Sequence, residues 1–367
     1  MKLFLAFTFA VFSFGTYAQK VDLDRFSFDY SHLKLPQEYV EPAKRTYGVR
    51  VETDAKIVPA DAIYDRIRLS GYQLVESKPT VGVLVYFSSF LLTGAELRER
   101  IEEVKDKEGR VTSKKYFYLM QVSYRSQGGY KITGPTALGA QKAKEQEKVV
   151  STNRFLQKAE GLDNTDNNKT IENNTGTFGN TYNTREFNNA REAREYYRDN
   201  QLSIKDAIVG EWVAQTTSAA NNQLAQRYGF EEVRGRDHLW ILDSNKHPEY
   251  ATQQEAIKAV KTLMATMNSQ NSISSLATNL APVMEYFQEL KTKYKLDEKP
   301  DRKMRYSAYY NLACLYYYLD QPEKMMEEAE GLIKNDYDTR DGRRFIELAQ
   351  ELRADLDRQK TNSRHFE

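Results

Sequence analysis

The stretch 308–337, AYYNLACLYYYLDQPEKMMEEAEGLIKNDY, decides how the second half of this chain is read. Tyr309, Leu312, Ala313 and Tyr316 recur at i, i+3, i+4 and i+7, which places them on one face of a helix. A second helix is expected over 323–334, so the stretch predicts two short antiparallel helices. Such a hairpin cannot bury enough apolar surface to offset the entropy of ordering its backbone. It therefore predicts helical neighbours, and the flanking sequence supplies them. Residues 252–267 carry Ile257, Val260, Leu263, Met264 and Met267 at helical spacing. Residues 274–295 carry Leu276, Leu280, Val283, Met284, Phe287, Leu290 and Tyr294, with Pro282 inside, where proline is expected to kink or split the helix. Residues 302–319 and 341–358 complete the set, the last with Phe345, Leu348, Leu352 and Leu356 on one face. Five helices with short connections over 248–367 predict an antiparallel stack.

The hairpin resembles a tetratricopeptide repeat. That repeat places a bulky aromatic, a Leu–Gly or Leu–Ala pair and a tyrosine on its first helix, and Tyr309, Leu312, Ala313 and Tyr316 match. Asn311 matches the frequent asparagine before the leucine. The second helix departs from the pattern: Met325, Ala329 and Leu332 stand where small, aromatic and small residues are usual, and Tyr337 replaces the closing proline. The resemblance implies a protein-binding module whose concave groove is lined by the other face of the first helix. It makes Ser307, Tyr310, Cys314, Tyr317 and Tyr318 the candidate partner-binding residues. The alternative is that the tyrosines among them pack on a neighbouring helix or on the other domain. Asn311 also stands where some family members hold a peptide carboxylate, although those sites need several basic residues on adjacent repeats.

Toward the N-terminus the pattern changes. Residues 47–53 (YGVRVET) alternate and predict a strand, and 59–70 predict a helix with Ile63 and Ile67 on one face, stopped by Gly71. Strands are expected at 72–76 and 81–92, then a long hairpin through the turn cluster at 106–109, its second arm carrying Tyr116, Tyr118, Met120, Val122 and Tyr124 on one face. Gly128 and Gly129 predict a further turn, with a short strand at 130–133. Residues 157–184 are rich in Asn, Thr and Gly and poor in apolar side chains, and predict a flexible insertion with a strand near its exit. Helices are expected at 189–199 and 203–227, and strands at 230–233 and 238–242. Residues 19–245 thus predict one α+β domain, and the whole chain an α+β protein with an all-α C-terminal domain. The segments TYGVRVET (46–53), KDKEGRVTSKKYFY (105–118) and HLWILDSNKHPEY (238–250) give it a resemblance to secreted envelope proteins of Bacteroidota in which such a domain precedes a tetratricopeptide tail.

Residues 1–18 read as a signal peptide: Lys2, an apolar run over 3–14, and Thr16 and Ala18 before a cut at Gln19. No cysteine stands directly after that cut, so a lipoprotein is not expected; no later stretch is apolar enough to span a membrane, and export to the periplasm or cell surface is expected. The 367 residues are 29% charged with a net charge of +1, which offers no electrostatic attraction to nucleic acid. The single cysteine, Cys314, excludes an internal disulfide and reads as a packed apolar residue. Four histidines are too scattered for a metal site. No nucleophile motif or phosphate-binding loop is present, and the serine and lysine of residues 31–34 lack the companion motifs of their enzyme class. No cofactor is expected. The expected function is non-enzymatic interaction with another envelope or secreted protein. The alternatives are a carboxylate-based hydrolase, or a glycan- or ligand-binding module using the Tyr116–Tyr124 face.

Overall fold

A computed structural model describes residues 21–136, 168–174 and 180–366. The expected signal peptide and the first part of the Asn-rich insertion lie outside the described residues. The fold is α+β, as expected. The chain forms two compact units, one comprising Lys34–Glu231, the other the residues up to Leu33 together with Glu232 onward. This division differs from the 19–245 and 248–367 expected, because the first strand and most of the last one group with the helices.

The Lys34–Glu231 unit is built on one mixed sheet. Its elements are β2 (Thr46–Thr53), a short α1 (Asp61–Tyr64), β3 (Gln73–Leu74), β4 (Val81–Lys105), β5 (Val111–Pro135), β6 (Asn168–Asn174), β7 (Asn180–Asn183), α2 (Ala190–Asp199) and α3 (Gln201–Arg227). The strand order is β3-β2-β4-β5-β6, with β7 also on β5. β2 runs parallel to β3 and β4, while β5 is antiparallel to β4, β6 and β7. Alternate residues of β4, namely Val81, Val83, Val85 and Phe87, are fully buried and pack with Val209, Trp212, Val213, Ala220 and Leu224 of α3. That is the period-two burial of a sheet covered on one face.

Four sequence expectations are corrected here. The helix at 59–70 shrinks to the single turn of α1, because Asn221 of α3 bonds the Arg68 N–H and the Arg66 carbonyl. Those backbone groups are satisfied by a neighbour rather than by a helical ladder. Gly128 and Gly129 make no turn: β5 runs straight through them. A Cβ on Gly128 would lie 2.6 Å from the Tyr86 carbonyl oxygen and 2.7 Å from the Trp212 ring, so glycine there admits the indole. Asn168–Asn174 of the Asn-rich insertion, expected to be flexible, is a strand, β6, laddered to β5, while the strand expected near the exit of the insertion is β7. The two short strands expected at 230–242 are one continuous strand, β8 (Glu231–Leu242).

In the other unit, β1 (Leu23–Lys34) pairs with β8 as a two-stranded ribbon. Ser31 bonds Glu232 and Asp29 bonds Arg236, so the strands run antiparallel. Five helices follow: α4 (Tyr250–Met264), α5 (Ser274–Lys293), α6 (Lys299–Tyr318), α7 (Pro322–Asn335) and α8 (Thr339–Gln359), each packed on the next. α5 continues unbroken past Pro282, since Leu276 and Leu280 before it and Val283, Met284, Phe287 and Leu290 after it are all buried. Tyr309 lies against Gly331 of α7, where a Cβ would come within 2.2 Å of the ring. Asp336 ends α7 in the left-handed conformation, and Asp338 caps the start of α8.

Candidate functional site

Helix α6 presents the candidate residues to the ribbon, and the ribbon covers them. Ser307, Tyr310, Cys314 and Tyr318 are buried and only Tyr317 is half-buried. The expectation that they line an open groove is therefore corrected: the face is occupied by the chain's own strands. Phe28 meets the Tyr318 ring edge-on at 5.5 Å, and Tyr30 lies 4.6 Å from it. The Tyr318 hydroxyl donates to Asp237 Oδ2 at 2.8 Å, and the Cys314 thiol lies 3.8 Å from the same oxygen. The Tyr310 hydroxyl lies 3.1 Å from His238 Nε2 and accepts from Arg344 at 3.2 Å. The Ser307 hydroxyl is spent on the Met304 carbonyl of its own helix.

The backbone of β8 is gripped along this face. Asn311, fully buried, accepts from the Trp240 N–H at 2.7 Å and donates to the Trp240 carbonyl at 2.9 Å. Two residues on, Gln253 of α4 accepts from the Leu242 N–H and Gln254 donates to the Leu242 carbonyl at 3.0 Å. Outward-facing peptide groups on one strand edge alternate with period two, so Trp240 and Leu242 meet two helices in succession. Three amide side chains thus do the work of a neighbouring strand. Asn311 was visible in the sequence through the repeat pattern, whereas Gln253 and Gln254 carry no local signal.

Burial sets the electrostatics of the face. It raises the Cys314 thiol well above its ordinary range, with the nearby Asp237 carboxylate adding to the effect. It raises the Tyr310 and Tyr318 hydroxyls and lowers His238. All four groups are therefore neutral near pH 7, and the thiol is no nucleophile.

The end of the chain locks the same unit. Arg364 pairs with Asp320 at 2.6 Å, with side chains 6% and 1% exposed, and donates to the Tyr317 carbonyl at 2.6 Å. The Leu33 N–H bonds the Arg364 carbonyl at 2.9 Å, and the Phe366 N–H bonds the Ser269 carbonyl at 3.0 Å. His32 stacks on Tyr30, with Nδ1 3.0 Å from the Leu33 carbonyl and Nε2 3.3 Å from the Arg364 guanidinium. Burial, then the Arg364 charge, hold His32 down to about 4.

Two other arrangements bear on the alternatives. A cleft of about 520 Å³ is lined by Asp29, Tyr30, Ser31, Glu232, Arg234 and Met264. The Ser31 hydroxyl and Arg234 hold the Glu232 carboxyl down to about 2. A carboxylate so stabilised is a poor proton donor or base for glycoside chemistry. Along the expected tyrosine face, Met120 and Val122 are buried, and Tyr124 lies against Phe90 at 5.6 Å. Only Tyr116, of the three tyrosines there, is exposed. Among the described residues no group of three or more His, Cys, Asp or Glu side chains converges to hold a metal ion. No described helix is long and apolar enough to cross a membrane. Compared with protein-family models, curated proteins and solved structures, the chain gives no match.

Proposed function

We propose that this protein is an exported, non-enzymatic scaffold of the cell envelope that binds another protein through its tetratricopeptide-like helical unit. The observation that supports this reading is the amide clamp of Asn311, which grips an extended backbone on the face that such repeats use for peptides. Since β8 occupies that face, a partner meets the unit on its open sides. One is the groove of about 390 Å³ lined by Ala281, Met284, Glu285, Tyr316, Leu319 and Lys324.

Site-specific photocrosslinking in the native cell tests the reading. A photoreactive residue replacing Glu285 or Lys324 is expected to yield one discrete protein adduct in the envelope fraction, and one at Arg50 of the sheet unit is not. Adducts from the sheet unit alone, or a chain retained in the cytoplasm with residues 1–18 intact, overturn the proposal.

A further inference from the structure

The two 25-residue strands β4 and β5 outrun the sheet that they belong to. The partnership of β4 with β2 ends at Phe87, and among the described residues no strand pairs with that edge beyond it. On the other side β5 continues to pair with β4 as far as Lys105. Between the bulges at Leu92/Gly94 and Val104/Lys105 the ladder is regular, and it contains no proline. An open, regular edge of this length is a template for another strand.

We propose that this edge joins two copies of the chain, antiparallel, about a two-fold axis at Ile101. Three observations lead there. The first is the direction of the backbone groups. Tyr118 exchanges both of its peptide bonds with Phe187, on the side of β5 away from β4. Its opposite number Glu99 is therefore in a non-hydrogen-bonded pair, and its own N–H and C=O point to the open edge. Ile101 and Glu103 follow with period two. A second β4 centred on Ile101 meets these groups in about six inter-chain bonds, two at Ile101 and two at each Glu99–Glu103 pair.

The second observation is charge. Antiparallel self-pairing sets residues i and j opposite each other with a constant even sum. Centring on Arg98, Arg100, Glu99, Glu102 or Glu103 sets a charge against its own copy. Centring on Ile101 sets Arg100 against Glu102 twice, and isoleucine against isoleucine. Glu99 then faces Glu103, whose charge is offset within its own hairpin by Lys114 at 3.6 Å and Lys105 at 3.7 Å. Residues 92–119 carry seven basic and six acidic side chains, so two copies of the arm do not repel each other overall.

The third is the exposed apolar surface. Ile101 is 47% exposed and sits opposite Tyr116, which is 46% exposed. Ala95 and Leu97, centres that set no like charges opposite each other, are half-buried and paired with buried Val122 and Met120. The second copy covers the Ile101–Tyr116 pair that the sheet leaves open.

Engineered crosslinking combined with sedimentation velocity of the mature chain tests this. Ile101→Cys is expected to give a covalent dimer on mild oxidation, with buried Cys314 silent and Leu97→Cys remaining uncrosslinked. Glu102→Arg sets two arginine pairs across the interface and is expected to weaken the dimer by roughly tenfold, and Arg100→Glu with Glu102→Arg to restore it. Arg100, Ile101 and Glu102 are exposed and Leu97 is half-buried, and each variant is expected to keep the wild-type circular dichroism. A chain that is monomeric at roughly 100 μM, a crosslink from Leu97→Cys rather than Ile101→Cys, or no recovery in the double variant overturns the proposal.

Discussion

Asn311 and Arg364 show how single side chains hold the helical unit closed. Asn311 fills both backbone groups of Trp240, so Asn311→Leu leaves a part-buried N–H and carbonyl without partners. The expected cost is roughly 2–5 kcal/mol, seen as a lower urea midpoint. Arg364→Met strands Asp320 at 1% exposure, and removing one member of a buried pair costs about 3–5 kcal/mol. His32 adds a pH dependence. Its folded value of about 4 lies below the ordinary 6.5, so the unfolded chain binds the extra proton. The stabilisation from neutral His32 is complete above pH 6.5 and is lost as the pH falls toward 4, by about 2–3 kcal/mol between pH 7 and pH 4.5. Urea titrations at the two pH values should show this, and His32→Gln should remove most of the difference. Asn311 was legible because a repeat pattern pointed to it. Arg364 was not: its partners Asp320, Tyr317 and His32 lie 44, 47 and 332 residues away, and no local spacing encodes such a cluster.

At the scale of elements, periodicity was a good guide wherever one partner surface covered one face. The strand expected at 81–92 and the helix expected at 203–227 are both found, because β4 and α3 bury each other. It misled where local signals were answered by distant groups. Gly128–Gly129 has the composition of a turn, yet it is a strand interior shaped by Trp212. Gly128→Ala is accordingly expected to lower stability by about 1–3 kcal/mol through overpacking. At Gly94 a Cβ would meet nothing within 4 Å, and Gly94→Ala should leave the melting temperature unchanged or slightly raised. Thermal unfolding of the two variants side by side measures the contrast. The helix expected at 59–70 failed for a related reason: Ile63 and Ile67 are as buried as their spacing implied, but Asn221 captured the backbone between them and the next strand.

At the scale of the molecule, the sheet unit is an insertion in sequence between β1 and β8, and the helical unit is assembled from both ends of the chain. A fragment of residues 248–367 lacks the ribbon that buries Tyr310, Cys314 and Tyr318, and is expected to aggregate or bind a hydrophobic dye. A chain that joins Leu33 to Glu232 by a short glycine–serine linker keeps the ribbon and is expected to unfold cooperatively. Dye binding and calorimetry on the two separate these outcomes. The sequence by itself determined the α+β class, the five C-terminal helices and the long hairpin, because each follows from the spacing of side chains along a short stretch. Only the tertiary structure decided that the Ser307, Tyr310, Cys314 and Tyr318 face of α6 is covered, and by what. The strand that fills it, the glutamines that grip that strand beside Asn311 and the arginine that holds the end of β1 lie on other segments. Their contacts form only once the chain has closed, so no local pattern records them.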